Sequence, residues 1–194
     1  MDKEAVVSFF DRCAQSWDAE MIRNEDVIRT ILDNAGICAG IDVLDVACGT
    51  GVLFPDYFAR GVASLTAIDI SPEMAKRARE KFPAAEVVCG DVETWRFGRQ
   101  FDAVMVYNAF PHFLNPKRLI EVLAGLTKQG GRLSVAHGMS RAMLSRHHSG
   151  AASKVSVDLI GERELAALLE PWFDVDVLIS DDRMYQVAGT KSKN

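Results

Sequence analysis

The chain reads as an α/β protein, a three-layer sandwich around a seven-stranded, mostly parallel sheet with an antiparallel C-terminal hairpin strand. Three observations lead there. From residue 41 onward, apolar segments of strand length alternate with amphipathic segments of helical period; this pattern specifies parallel strands joined by right-handed crossovers, with helices on both faces. The stretch Val43-Leu44-Asp45-Val46-Ala47-Cys48-Gly49-Thr50-Gly51 is a buried strand that breaks into a glycine loop, where the missing Cβ lets a ligand approach the backbone closely. The last two strand segments are parted by only Ser180-Asp181-Asp182-Arg183, too short for a crossover, so they form a hairpin.

Taken in order, Val6, Phe9, Phe10, Cys13 and Trp17 recur at spacings of three and four and predict a helix over residues 4–17. Val27, Ile28, Ile31, Leu32 and Ala35 predict a second over 24–35, with Gly36 placed to end it. Strands are expected at 41–46, 64–69, 86–89, 101–107, 132–136, 173–179 and 184–190. A helix over 52–60 follows the glycine loop. Ser71-Pro72-Glu73 opens the next one with a capping hydroxyl, a proline at the first position and an acid at the positive helix end. Asn115-Pro116 opens another, with Leu119, Val122, Leu123 and Leu126 on one face and Gly130-Gly131 as its expected stop. Between His137 and Val157 periodicity is weak apart from a helical turn starting at Ser140, and a last helix over 162–169 is closed by Pro171.

Composition narrows the partners. At 194 residues the chain suits one domain with a core of its own, and 48% apolar with 25% charged residues is ordinary for a globular protein. No apolar run approaches the roughly 20 residues that span a bilayer, and Met1-Asp2-Lys3-Glu4 lacks a secretory pattern, so a cytoplasmic location without membrane attachment is expected. A net charge of −5 argues against nucleic acid. The expected partner is a small molecule, with a homodimer left open. The four cysteines show no paired or metal-ligand spacing, and no HxxxH pattern occurs, so no metal site is expected.

In open α/β sheets ligands bind beyond the carboxyl ends of the strands. Those ends carry Asp45 to Gly51, Asp69-Ile70, Gly90-Asp91-Val92, Tyr107-Asn108 and His137. Asp69, 18 residues past Gly51, is placed to accept hydrogen bonds from both hydroxyls of a ribose, and Asp91 to read an adenine amino group. Helix or turn capping is the alternative reading for both acids. The dinucleotide fingerprint GxGxxG wants a third glycine for close packing, but Phe54 stands there, which disfavours a nicotinamide-dependent oxidoreductase.

Read as acid-x-Ala-x-Gly-x-Gly, Asp45 to Gly51 resembles the loop of class I S-adenosylmethionine-dependent methyltransferases, with Ala47 in place of the first glycine. The resemblance runs from about Phe9 to Thr190. It includes Ala67-Ile68-Asp69-Ile70-Ser71-Pro72-Glu73-Met74, Gly90-Asp91-Val92, Phe101-Asp102-Ala103-Val104 and Gly130-Gly131-Arg132-Leu133. The opening Phe9-Phe10-Asp11 to Trp17-Asp18 is similar to the N-terminal helix of the small-molecule branch that includes ubiquinone and menaquinone methyltransferases. The resemblance implies a Rossmann-like single domain over residues 1–194, with 1–36 as a helical lid and S-adenosyl-L-methionine as cofactor. It places Asp45, Ala47, Cys48, Gly49, Thr50 and Gly51 against the methionyl part and Asp69 on the ribose. Ile70 and Met74 would lie on the adenine, Asp91 and the Val92 amide at its polar edge, and Asn108 near the amino group and sulfonium. Plain core packing is the alternative for Ile70 and Met74.

The implied reaction is in-line displacement of the methyl group by a small-molecule nucleophile, and a base is needed only if that nucleophile arrives protonated. His112 and His137, after the fourth and fifth strands, are expected at the pocket rim as candidate bases; a solvated rim histidine is the alternative. Trp17, Phe113, Arg141, Arg146, His147 and His148 are candidate substrate contacts. The segment 138–157 carries Arg141, Arg146 and Lys154 without an acid, which would favour an anionic substrate; a solvated loop with scattered charges is the alternative. A dihedral in the ordinary region is expected at Ala47, because a methyl group is tolerated there only then, and a positive φ would count against this reading of the loop. A non-catalytic S-adenosylmethionine-binding regulator is the competing function.

Overall fold

A computed structural model of the chain describes residues 2–148 and 155–192, without the side chains of 146–148. Its sheet has seven strands: β1 (Asp42–Val46), β2 (Ser64–Asp69), β3 (Glu86–Cys89), β4 (Phe101–Tyr107), β5 (Thr127–His137), β6 (Phe173–Ser180) and β7 (Tyr185–Lys191). Their order is β3-β2-β1-β4-β5-β7-β6, with β7 antiparallel to both neighbours and the other pairs parallel. Strand order reverses beside β1, which pairs with β2 and β4. That switch point is where such sheets open a crevice.

The helices are α1 (Lys3–Cys13), α2 (Trp17–Glu20), α3 (Glu25–Asn34), α4 (Phe54–Ala59), α5 (Pro72–Lys81), α6 (Pro116–Leu126), α7 (Arg141–His148) and α8 (Glu162–Leu169). Alternation along the strands sends Leu44, Val46, Val104 and Val106 to one face, where α6 and α8 contribute Leu119, Leu123, Leu165 and Leu169. Val43, Ala67, Ala103 and Met105 face the other way, onto α3 and α4. Both clusters are closed by fully buried side chains, which gives the three-layer sandwich.

Three elements differ from the pattern read from sequence. The first helix breaks after Cys13 and resumes as the short α2. Helix α4 begins at Phe54 with Pro55 in its first turn, two residues late, because the glycine loop continues to Leu53. Gly130-Gly131 does not stop α6, which ends at Leu126. There the Thr127 hydroxyl donates to the Leu123 carbonyl at 2.7 Å, and Lys191 donates to the carbonyls of Ala124 and Thr127 at 2.6 and 2.9 Å. Strand β5 starts at once, and its register moves from Thr127 opposite Phe101 to Arg132 opposite Ala103. The two glycines serve that bulge, with Gly130 at φ 74.

Polar bonds that hydrophobic periodicity does not announce pin α3 to the sheet. Gln186, fully buried on β7, donates to the Ile31 carbonyl at 2.9 Å and to the Ser134 hydroxyl at 3.0 Å, and accepts from the Asn34 amide at 2.9 Å. Arg132 donates to the Asn34 carbonyl and forks onto Asp176 at 2.7 and 2.8 Å. Among the described residues no helix is long and apolar enough to cross a membrane. Gln186→Met keeps the volume but leaves buried partners unsatisfied, so it should lower the unfolding free energy by about 1–3 kcal/mol in urea melts.

Candidate functional site

A cleft of about 1150 Å³, open mouth included, lies over the carboxyl ends of β1, β2, β3 and β4. Its floor begins with the loop after β1. Ala47 takes φ 55, Gly49 φ 57 and Gly51 φ 85. The expectation of an ordinary dihedral at Ala47 is therefore overturned. A left-handed alanine costs about 1–2 kcal/mol, and it persists because neighbouring bonds fix the turn: the Cys48 amide donates to the Ile68 carbonyl at 3.2 Å and the Gly51 amide to the Cys48 carbonyl at 3.0 Å. Gly51 is obligatory for a second reason, since a Cβ there would stand 2.9 Å from the Phe54 ring and 3.0 Å from Phe82. Phe54 thus turns inward and packs on Phe82, ring centroids 5.3 Å apart, at the position where the dinucleotide fingerprint has its third glycine.

Asp69 ends β2 inside the cleft, 7% exposed. One carboxylate oxygen accepts from the Gly49 amide at 2.7 Å and the other from the Ser71 amide at 2.8 Å. Burial pushes its pKa up to about 6, with those two amides pulling it down. Each oxygen can accept a second bond, the capacity that a pair of vicinal hydroxyls requires. Asp45 lies beneath, fully buried and outside the cleft lining. Burial pushes it up to about 8; the neighbouring Tyr57 hydroxyl moderates this without reaching ordinary hydrogen-bond geometry, and the Asp69 charge adds to it. Burial also raises the Cys48 thiol well above its usual range, so it stays protonated.

Ile70, Met74, Asp91, Val92 and Asn108 line the cleft with Ala47, Cys48 and Gly49. Thr50 and Gly51 do not. Thr50 is turned to Asp18, its hydroxyl donating at 2.5 Å. Asp91 caps its own turn by accepting from the Glu93 amide at 3.0 Å, and it also receives Lys3 of α1 at 2.6 Å. Asn108 sits at φ 54 and accepts from the Gly138 amide at 2.9 Å.

The roof is built by residues 3–23, which supply Lys3, Val6, Phe10, Trp17, Met21, Ile22 and Arg23 to the lining. Polar ties fasten it to the body: Lys3 to Asp91 and Glu93, Asp11 to the Ser71 hydroxyl and Glu73 amide, Asp18 to Thr50 and Lys81, and Arg23 to Asp56 and the Val52 carbonyl. Helix α3 does not belong to this roof. Its Val27, Ile28, Ile31 and Leu32 are core residues at 1% exposure or less.

His112, on a 3-10 turn at Phe110–His112, lines the cleft, with Nδ1 2.8 Å from the Val155 carbonyl and its ring 4.9 Å from that of Phe10. His137 does not stand at the rim. As the last residue of β5 its side chain points into the core, 0% exposed, with its ring 6.0 Å from that of Tyr185. Trp17 and Phe113 line the cleft, whereas Arg141 is turned away and donates to the Leu159 carbonyl at 3.0 and 3.2 Å. The side chains of Arg146, His147 and His148, like Lys154, lie outside the described residues.

Several lining residues escaped the sequence reading. Lys3 and Arg23 gave no signal, since isolated basic residues on helix ends are ordinary surface. The sequence places Tyr107 at a strand end without giving it a role. It lines the cleft with its hydroxyl only 2.3 Å from where a Cβ on Gly138 would stand, so Gly138 is what admits it. Relief of the left-handed strain at Ala47 leads to a specific expectation. Ala47→Gly should raise the unfolding free energy by up to about 1 kcal/mol in denaturant melts, the relief being partly offset by the more flexible unfolded chain.

Residues 44–135 match the family described as "Methyltransferase domain". The chain is 29% identical over 161 residues to the ribosomal protein L11 methyltransferase of Laribacter hongkongensis, covering 81% of this chain and 46% of that protein. It is 27% identical over 191 residues to the demethylmenaquinone methyltransferase of Paenarthrobacter aurescens, covering 90% and 75%. Its fold superposes on magnesium protoporphyrin IX methyltransferase from Synechocystis PCC 6803 with bound S-adenosylhomocysteine at a TM-score of 0.76 and 17% identity, covering 98% of this chain and 100% of that one. The chain spans about half the length of several curated relatives it matches, between 46% and 58%. With the glycine loop, the acid ending β2 and the order of the strands all in place, the chain carries a methyltransferase-like domain over residues 44–135 and is similar to methyltransferases along most of its length.

Proposed function

We propose that the chain transfers a methyl group from S-adenosyl-L-methionine to a small-molecule nucleophile. The observation that carries this reading is the Asp69 carboxylate, bonded once on each oxygen and facing the cleft over the strand ends. Asp69 would take the ribose hydroxyls, with Ile70 and Met74 against the adenine and Asp91 and the Val92 amide at its edge. The backbone from Ala47 to Gly49 and Asn108 would hold the methionyl end. Asp45, Thr50 and Gly51 act from behind, by shaping the loop. Residues 3–23, rather than all of 1–36, form the lid. When bound, the cofactor supplies an activated methyl group on a positively charged sulfur.

His112 is the proposed base. A carbonyl only accepts, so the bond to Val155 puts the proton of the neutral ring on Nδ1 and makes Nε2 the basic nitrogen. His137 is sealed in the core, away from the cleft. The relatives named above are methyltransferases of a ribosomal protein and of demethylmenaquinone, so they point to no single acceptor.

Calorimetry with S-adenosylhomocysteine and with NAD tests the reading, and binding of NAD alone would sink it. Asp69→Asn should weaken S-adenosylhomocysteine at least tenfold through loss of a charged acceptor worth about 1.5–3 kcal/mol. The pH dependence has a definite sign. Burial holds the Asp69 carboxyl above its ordinary value, and ribose hydroxyls donate best to its ionised form. Affinity should therefore be level above pH 7 and fall as pH drops through about 6, a dependence that Asp69→Asn abolishes.

A further inference from the structure

The side chains lining the cleft divide by origin. The acids Asp69, Asp91 and Glu93 stand at the ends of β2 and β3, whereas the roof and the segment after β4 contribute Phe10, Trp17, Met21, Ile22, Phe113 and Leu114. Ile22 is 96% exposed and Leu114 45%, so this apolar surface continues out to the mouth. The Phe10 ring lies 5.7 Å from Trp17 and 4.9 Å from His112, at interplanar angles of 72° and 78°. Three rings thus make one continuous wall.

Charge in the lining is already committed. Its two cations are Lys3, held by Asp91 and Glu93, and Arg23, whose guanidinium is shared among Glu25, Asp56 and the Val52 carbonyl. Three carboxylates, Asp69, Asp91 and Glu93, stand in the same lining. That surplus suits a cationic sulfonium and opposes an anion. Arg141, the described cation of the segment expected to attract one, is spent on the Leu159 carbonyl outside the cleft. An anionic acceptor would lose its hydration with no uncommitted positive group among the described lining residues to replace it.

We propose that the acceptor is an uncharged, planar, apolar molecule that packs on the wall of Phe10, Trp17 and His112. This deepens the function proposed above and rests on it. Flat rings bury most area at least entropy against such a wall, and edge-to-face contacts add to the gain. Entry over Ile22 and Leu114 keeps an apolar molecule against apolar surface throughout.

Calorimetry on the intact protein, with and without S-adenosylhomocysteine, compares 2-naphthol with 2-naphthoate at pH 7.5, matched in ring and opposed in charge. The proposal expects saturable binding of 2-naphthol at least tenfold tighter than 2-naphthoate, with a negative heat-capacity change from apolar burial. Phe10→Ala should weaken 2-naphthol at least fivefold. Ile22→Ser, at a position too exposed to affect folding, should weaken it about twofold or more. Equal or tighter binding of 2-naphthoate, or no binding of either ring while S-adenosylhomocysteine binds, overturns the acceptor proposal alone. Absence of S-adenosylhomocysteine binding overturns the function on which it rests.

Discussion

One residue at the end of β2 ties together the three loops that make this cleft. The Asp69 side chain receives the Gly49 amide from the loop after β1 and the Ser71 amide from the start of α5, while its carbonyl accepts the Gly90 amide after β3 at 2.9 Å. Burying a carboxylate is costly, and its raised pKa shows that two amides do not fully offset the lost water. A ligand bringing further donors completes what the protein leaves unfinished. The left-handed backbone at Ala47 is fixed next to them, by the Cys48 amide on the Ile68 carbonyl and the Gly51 amide on the Cys48 carbonyl.

Above this fixed floor the roof is held by charge more than by burial. Val6 is the one fully buried residue of α1, yet the helix places Lys3 on two acids and Asp11 on the capping hydroxyl of α5. Exposed ion pairs contribute little individually. They orient the helix, and its apolar side chains then face the cleft. Asp91 serves both layers, since it caps its own turn and receives the roof's lysine.

Much of the fold was legible because burial imposes periodicity. Strands β2, β3 and β4 stand where alternation and flanking polar residues put them, and Asn115 and Ser71 cap their helices through the side chains expected, accepting from Arg118 and Met74. What was illegible was made by contacts distant in sequence. Whether a histidine after a strand points to the rim or the core depends on which face the strand's last residue occupies, and His137 falls on the core side opposite Tyr185. Ala47 misled because dihedrals follow from bonds made 20 residues away. Arg141, expected at the substrate, is bound to a backbone carbonyl, and Gln186, which no periodicity marks, is buried against α3.

The unequal anchoring of the N-terminal helices has an energetic meaning. Helix α3, with four core residues and a buried glutamine beneath it, can leave only when the sheet unfolds, whereas α1 can lift by exchanging a few polar bonds for water. The hinge between them falls at residues 21–24, where Arg23 is anchored to the body. Opening the cleft at residues 3–20 would therefore cost a few polar contacts and little burial, and not the stability of the whole domain.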